Sequence, residues 1–278
     1  MKIYKALTIA GSDSGAGAGI QADLKTFAAL GVYGTSVITA ITAQNTAQVT
    51  KIFELSTALV AAQIDAVMDD IGAHAVKTGM LANAAIIKTV AKKILQHRLK
   101  NVVVDPVMVA KSGDLLLRNN AIDALRFRLL PLATVVTPNL PEAEKLTGMK
   151  LRKDGEIEEA ARRIRGLGAK NVVIKGGHRK GPALDLFFDG KKFREFCSPR
   201  VRSRHTHGTG CAFAAAIAAH LARGDDVETA VAAAKEFITH AIRRGFAIGS
   251  GHSPPHHFYR FWINRRLGRR GRRSRDSG

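Results

Sequence analysis

The residues His207-Gly208-Thr209-Gly210-Cys211 run without a break into the alanine-rich stretch 212–221. Two glycines and a threonine opening onto a helix gather unpaired backbone N–H groups around one point, with the positive end of the helix dipole behind them. That is a place for an anion. A cysteine at the same spot is expected as a thiolate, because a helix N-terminus lowers a thiol's pKa. An anion cradle beside a base is equipment for phosphoryl transfer. The same five residues also read as a plain turn followed by a small buried cysteine, so the rest of the chain has to decide.

Other polar clusters carry chemistry of a matching kind. Gly11-Ser12-Asp13-Ser14-Gly15-Ala16-Gly17-Ala18-Gly19 lacks the Gly-Lys-Ser/Thr ending of a Walker A loop and the glycine spacing of a dinucleotide fingerprint. It implies only close backbone approach or a sharp turn. Asp23 follows it, read either as aimed at a ligand or as a first-turn complement to the dipole. Asn139 and Glu142, three apart after Thr137-Pro138, read as a capping box. They read equally as a magnesium carboxylate region, with Asp105 opposite, since Mg²⁺ takes few carboxylates and fills its shell with water and phosphate oxygens. Lys175 ends an apolar strand against Gly176-Gly177 and is read as meeting a nucleotide phosphate, with a structural ion pair as the alternative. His205, His207 and Cys211 fit no standard zinc spacing.

Positioning these groups requires alternating strands and helices. Short apolar runs at 6–10, 36–41, 75–78, 102–104, 135–137 and 172–174 predict buried strands. Helical spacing occupies 21–30, 59–71, 84–96 and 121–129 between them. A hairpin about Asp189-Gly190 joins 184–188 to 192–196, and helices 211–222 and 227–243 close the unit. This alternation predicts a mostly parallel sheet covered on both faces, with ligands beyond the carboxyl ends of its strands. The polar clusters all follow strands.

Composition narrows the class. The 278 residues are 46% hydrophobic, enough for a full core, and no apolar run approaches a membrane span. Two cysteines and no leader-like start point to a reducing, cytoplasmic setting. Of the net charge of +20, residues 264–278 hold seven arginines against one aspartate, which is +6 and leaves +14 on the body. That basic tail is expected to lack a packed structure, and nucleic acid enters the reading only through it. Residues 1–263 are expected to form one domain.

Taken together, these motifs resemble the ribokinase superfamily, and within it the hydroxymethylpyrimidine/phosphomethylpyrimidine kinases of thiamine biosynthesis. The signatures are Ala10-Gly11-Ser12-Asp13 through Thr26, Thr42-Ala43-Gln44-Asn45-Thr46 and Lys77-Thr78-Gly79-Met80-Leu81. They continue in Asp105-Pro106-Val107-Met108, Thr137-Pro138-Asn139-Leu140-Pro141-Glu142-Ala143, Lys175-Gly176-Gly177-His178 and Thr206-His207-Gly208-Thr209-Gly210-Cys211. The resemblance implies a ribokinase-like three-layer α/β sandwich, ATP and Mg²⁺ as co-substrate and cofactor, and a homodimer. It implies that Gln44 bonds the aminopyrimidine, that Asp23 lies near the hydroxymethyl group, and that Gly11, Met80 and Val107 line the pocket. Lys175, Asn139 and Thr209 fall in the ATP region, and Asp105 and Glu142 in the magnesium region. Gly208, Thr209 and Gly210 match the anion hole, and Cys211 stands where most relatives carry an aspartate base.

Two other readings remain open at this point. Some bacterial pyridoxal kinases share the scaffold and the Gly-Thr-Gly-Cys loop, but carry a second cysteine on a lid where this chain has Ala110. A nucleic-acid-associated protein acting through the arginine tail is the second. The loop 111–117, polar and glycine-containing, is the candidate for closing over ATP.

Overall fold

The computed structural model describes residues 2–109, 121–177 and 181–262. Ala110, the loop 111–117, His178 and the tail 264–278 lie outside them. A single nine-stranded sheet organises the chain in the order β3-β2-β1-β4-β5-β6-β7-β8-β9. The strands are β1 (Lys5–Asp13), β2 (Tyr33–Gln44), β3 (Val49–Glu54), β4 (Ala75–Thr78), β5 (Val102–Val104), β6 (Val135–Val136), β7 (Asn171–Lys175), β8 (Ala183–Phe188) and β9 (Phe193–Ser198). The six central strands, β2-β1-β4-β5-β6-β7, pair parallel. Antiparallel pairing appears only where β3 joins β2 and where the β8–β9 hairpin joins β7.

Alternation along the strands explains the three layers. Val102 and Val104 point into one core, with Leu7, Ile9, Val172 and Ile174. Val103 points into the other, with Ala6, Val135 and Val173. Successive side chains leave a strand on opposite faces, so a strand apolar at every position must be covered on both. The first face is covered by α2 (Thr57–Asp70), α3 (Ala84–Gln96), α4 (Ile122–Ala124), α5 (Leu140–Thr147) and α6 (Asp154–Gly166). The second is covered by α1 (Gly19–Ala29), α7 (Thr209–Arg223) and α8 (Val227–Arg243). Alanine dominates α7, which lets that helix lie close against the sheet.

Some helix starts carry side-chain caps and others, α1 and α7 among them, do not. Ser56, Asn83 and Asp226 each accept a backbone N–H at the heads of α2, α3 and α8, the ordinary way to satisfy first-turn donors. By contrast, α7 begins at Gly208 in the left-handed region (φ 75°) with no side-chain cap. Thr209 N–H donates to the Thr206 carbonyl oxygen at 3.4 Å, and the next first-turn N–H groups face the end of the sheet.

Departures from the sequence reading have local causes. β1 and β2 run on to Asp13 and Gln44, past their expected ends, with a register break between Ala10 and Ser12. The stretch 121–129 was expected as one α-helix; only Ile122–Ala124 is α, followed by a π-helical turn Leu125–Leu129 and a 3₁₀ turn Leu130–Leu132. Pro131 returns no N–H to the preceding turn and crowds it, which breaks the regular ladder. β3 and α6 were not expected: β3 is a half-exposed edge strand, and α6 is highly charged, with a narrow apolar stripe at Ile157, Ala160, Ala161 and Ile164.

Candidate active site

A cavity of about 630 Å³ opens at the carboxyl ends of the parallel strands, within the range of small-molecule sites. Gly11 reaches it from the β1 register break, Gln44 from the end of β2, and Met80 from beyond β4. Asp105 and Val107 follow β5, Asn139 and Glu142 open α5, and Lys175 ends β7. Gly208, Thr209, Gly210 and Cys211 enter from the head of α7. Every residue singled out from the sequence lines this cavity except Asp23.

At one end, Lys175 Nζ lies 2.9 Å from Asp105 Oδ1, which also accepts from Thr137 Oγ1 at 3.2 Å. Burial alone would lower the pKa of Lys175, but the carboxylates of Asp105 and Glu142 outweigh it and hold the ammonium charged. The Asn139–Glu142 capping box is formed: Asn139 N donates to Glu142 Oε2 at 2.7 Å and Glu142 N to Asn139 Oδ1 at 2.9 Å. Glu142 also faces the cavity. Burial, reinforced by repulsion from Asp105 and only partly offset by Lys175, pushes its carboxyl up to about 7. The structural and the chemical reading of this pair therefore coexist.

These two carboxylates suit a divalent cation. Hard oxygen donors face the cavity, and the raised Glu142 carboxyl marks a site short of positive charge. Among the described residues no cluster of three or more His, Cys, Asp or Glu side chains is poised to bind metal. A magnesium ion held here would complete its shell with water and phosphate oxygens, as Mg²⁺ commonly does.

Two expectations are corrected. Cys211 was expected as a thiolate, yet its thiol is pushed up to about 11. Burial is the main cause; Lys77 opposes it, and the carboxylates of Asp23 and Asp105 add to it. Asp23 was expected beside the substrate, but it has no exposed surface and accepts from Thr8 Oγ1 at 2.6 Å and Lys77 Nζ at 2.9 Å. It lies behind the cavity wall, because α1 turns this residue toward the sheet and its ammonium partner on β4.

Three groups escaped the sequence reading. Lys77 is fully buried in β4; a lysine in a buried strand signals a hidden partner, though not which one. Asp185 and Lys235 form a buried pair at 2.8 Å on the cavity wall, with Gly176 N donating to Asp185 Oδ1 at 3.0 Å. Asp13 and His207 form the third, with His207 Nε2 at 2.8 Å from Asp13 Oδ2. The glycine-rich loop after β1 folds around its own aspartate: Gly15, Gly17 and Ala18 donate their N–H groups to the Asp13 carboxylate.

The family profile described as phosphomethylpyrimidine kinase matches residues 13–256, most of the chain and all of this cavity's principal side chains. The chain belongs to the phosphomethylpyrimidine kinase family. It is 49% identical over 260 residues to the hydroxymethylpyrimidine/phosphomethylpyrimidine kinase of Bacillus subtilis, covering 93% of this chain and 96% of that protein. It is 54% identical over 252 residues to the thiamine biosynthesis bifunctional protein ThiED of Geobacter sulfurreducens, covering 90% of this chain and 51% of that protein. The chain thus spans about half of the bifunctional relative. An ADP complex of Bacillus subtilis pyridoxal kinase superposes with a TM-score of 0.86 at 46% identity, covering 92% of this chain and 98% of that one. The fold of this phosphomethylpyrimidine kinase family member is ribokinase-like, as the resemblance implied.

Proposed function

We propose that the protein transfers the γ-phosphoryl group of ATP to the hydroxymethyl oxygen of 4-amino-5-hydroxymethyl-2-methylpyrimidine, and then phosphorylates the monophosphate, in thiamine biosynthesis. The observation that carries the reading is that Gln44, Cys211, the uncapped head of α7 and Lys175 share one cavity. In the first step the alcohol oxygen attacks the γ-phosphorus, its proton passes to Cys211 Sγ, and the bond to the β-phosphate oxygen breaks to release ADP. The backbone N–H groups of Gly208, Thr209 and Gly210 receive the equatorial oxygens, where charge accumulates. Lys175 binds ATP phosphate, with Asn139 and Thr209 beside it. Asp105 and Glu142 would hold magnesium, which would supply neutralising charge on the phosphates.

The resting thiol is neutral, with about one in ten thousand ionised at pH 7 for a pKa near 11. The base form of Cys211 is therefore a minority species favoured by Lys77, the cation that opposes its burial. In the second step the nucleophile is a phosphate monoester already ionised, and needs no base. Cys211→Ala is expected to slow the first transfer by roughly 10²–10⁴-fold and to spare the second. Equal loss in both, with each rate measured separately by product mass, would sink the base assignment.

Pyridoxal phosphorylation is the second reading, supported by the likeness to the Bacillus subtilis pyridoxal kinase. Comparing kcat/KM for the hydroxymethylpyrimidine and for pyridoxal decides between them. Among the described residues no helix is long and apolar enough to cross a membrane. A cytoplasmic homodimer is part of the proposal, as are the kinase unit 1–263 and any nucleic-acid contact through 264–278. Sedimentation of the full chain, and RNA binding with and without the tail, test those parts.

A further inference from the structure

Three adjacent strand ends bring one ammonium and two carboxylates together. Asp105 follows β5, the Asn139–Glu142 turn follows β6, and Lys175 ends β7. Lys175 is fixed against that turn: its N–H donates to the Pro138 carbonyl oxygen at 2.8 Å, and it bridges to Asn139. From there its Nζ reaches Asp105 Oδ1 at 2.9 Å, an oxygen that also accepts from Thr137 Oγ1. The Asp105 side chain is only 2% exposed. A carboxylate so buried needs a partner for its charge, and on the cavity side Lys175 is that partner. Glu142 has one oxygen, Oε2, committed to the N–H of Asn139.

The ammonium and Asp105 face one spot. A Cβ on Gly210 would stand 3.3 Å from Lys175 Nζ and 3.7 Å from Asp105 Oδ2, so the head of α7 adjoins both. A divalent ion on Oδ2 would share a single carboxylate with an ammonium, and the two cations would repel each other. Phosphate oxygens received at the head of α7 change that balance. They offer Nζ a second anionic partner within reach of the same backbone position. They also supply the oxygens with which Mg²⁺ completes its shell.

We infer that Lys175 bars divalent cations from Asp105 until phosphate draws the ammonium away, so that metal enters this site with the nucleotide and not ahead of it. Lys175 then has two successive partners: Asp105 before the nucleotide arrives, and a phosphate oxygen afterwards. The first contact keeps the buried carboxylate neutralised; the second hands that carboxylate to the metal. The inference rests on Asp105 and Glu142 being the magnesium residues of the proposed kinase.

The experiment titrates Mn²⁺, a paramagnetic stand-in for Mg²⁺, into the ligand-free full chain in phosphate-free buffer and follows free Mn²⁺ by EPR. Removing a positive charge a few ångströms from the ion is expected to tighten binding about tenfold or more in Lys175→Met. Lys175→Arg keeps the charge and should bind as weakly as wild type. Adding Asp105→Asn to Lys175→Met should abolish the gain. Lys145 also lines the cavity; Lys145→Met leaves Asp105 paired and should change binding far less. Lys175→Met binding Mn²⁺ no better than wild type, or Lys145→Met gaining as much, overturns the inference. Wild type also gives an answer of its own through the ¹⁵Nζ signal of Lys175, assigned by its loss in Lys175→Arg. That signal should stay in place with Mg²⁺ alone and move when Mg²⁺ is added with a non-hydrolysable ATP analogue. Movement with Mg²⁺ alone overturns the inference whether or not Lys175→Met folds. Wild type that transfers no phosphoryl group from MgATP to the pyrimidine sinks the functional reading instead, while the Mn²⁺ titration still decides the exchange at Asp105.

Discussion

Lys77 and Asp23 form an ion pair of 2.9 Å in which neither side chain is exposed. Burial by itself would lower the pKa of Lys77, but Asp23, with Cys211 and Asp105 beyond it, reverses this and raises it. From behind the cavity wall the two act oppositely on the Cys211 thiol, Lys77 lowering its pKa and Asp23 raising it. The pair's location explains why Asp23 is behind the substrate pocket and why the Cys211 thiol, though strongly raised, is not raised further.

Removing one member of this pair should be costly, because the other is left as an unpaired charge in the core. Lys77→Met is expected to lower the unfolding free energy by about 3–5 kcal/mol in urea titrations. Lys77→Met combined with Asp23→Leu should recover most of that loss, since well-packed apolar replacements of buried pairs are often neutral. The double variant should fold, and it removes together the cation that favours the Cys211 thiolate and a carboxylate that opposes it. Single and double variants losing stability equally would contradict the pairing account.

The raised thiol predicts a labelling pattern. Cys197 is exposed, whereas Cys211 is half-buried with its thiol near 11. Iodoacetamide reacts with the thiolate, so in the ligand-free protein Cys211 should react slowly at pH 8. Its rate should climb about tenfold per pH unit toward 11. Peptide mapping by mass spectrometry separates the two sites. Fast, pH-independent labelling of Cys211 around neutrality would restore the thiolate that the helix head alone suggests.

Glu142 should leave a signature in stability. Its carboxyl rises from 4.5 to about 7 on folding, so between those values the folded state binds the extra proton. Stability from this group is present below pH 4.5 and is lost as pH rises through 7. Glu142→Gln cannot titrate. Its stability relative to wild type should therefore improve between pH 5 and pH 8 in urea unfolding of the ligand-free protein. A constant difference across that range would mean that Glu142 is not strained by its surroundings.

How far the sequence carries depends on whether a feature is local. β5 is Val102-Val103-Val104 and α3 has a clean apolar face, so both are legible to the residue. Lys175 and Asp105 are legible because each ends or follows an apolar strand, and the anion loop because its glycines run into an alanine-rich helix. The Asn139–Glu142 box is legible as local spacing. What fails is long-range pairing. Asp23 finds Lys77 from 54 residues away, and Asp13 finds His207 from 194. Nothing adjacent to either residue names its partner. The Cys211 expectation fails for a related reason: the helix head is visible in sequence, whereas the burial and the carboxylates that outweigh it come from α1 and the end of β5. β3 is missed because an edge strand need not be apolar.

Two glycines of the anion loop should respond in opposite ways to the same methyl group. Gly208 has a φ of 75°, and a Cβ there would collide with the carbonyl oxygen of Gly17. Gly208→Ala is expected to lose roughly 1–3 kcal/mol of stability together with activity. Gly210 lies inside α7, where a Cβ would meet only the Lys175 ammonium at 3.3 Å and Asp105 Oδ2 at 3.7 Å. The end of a lysine side chain can move aside, and alanine favours a helix over glycine by up to about 1 kcal/mol. Gly210→Ala should therefore keep or gain stability in thermal melts. It should nevertheless raise KM for ATP and lower kcat, because the methyl group takes the space into which Lys175 Nζ and a phosphate oxygen must fit. Loss of stability without loss of phosphoryl transfer would mean that Gly210 serves the fold and not the ATP site.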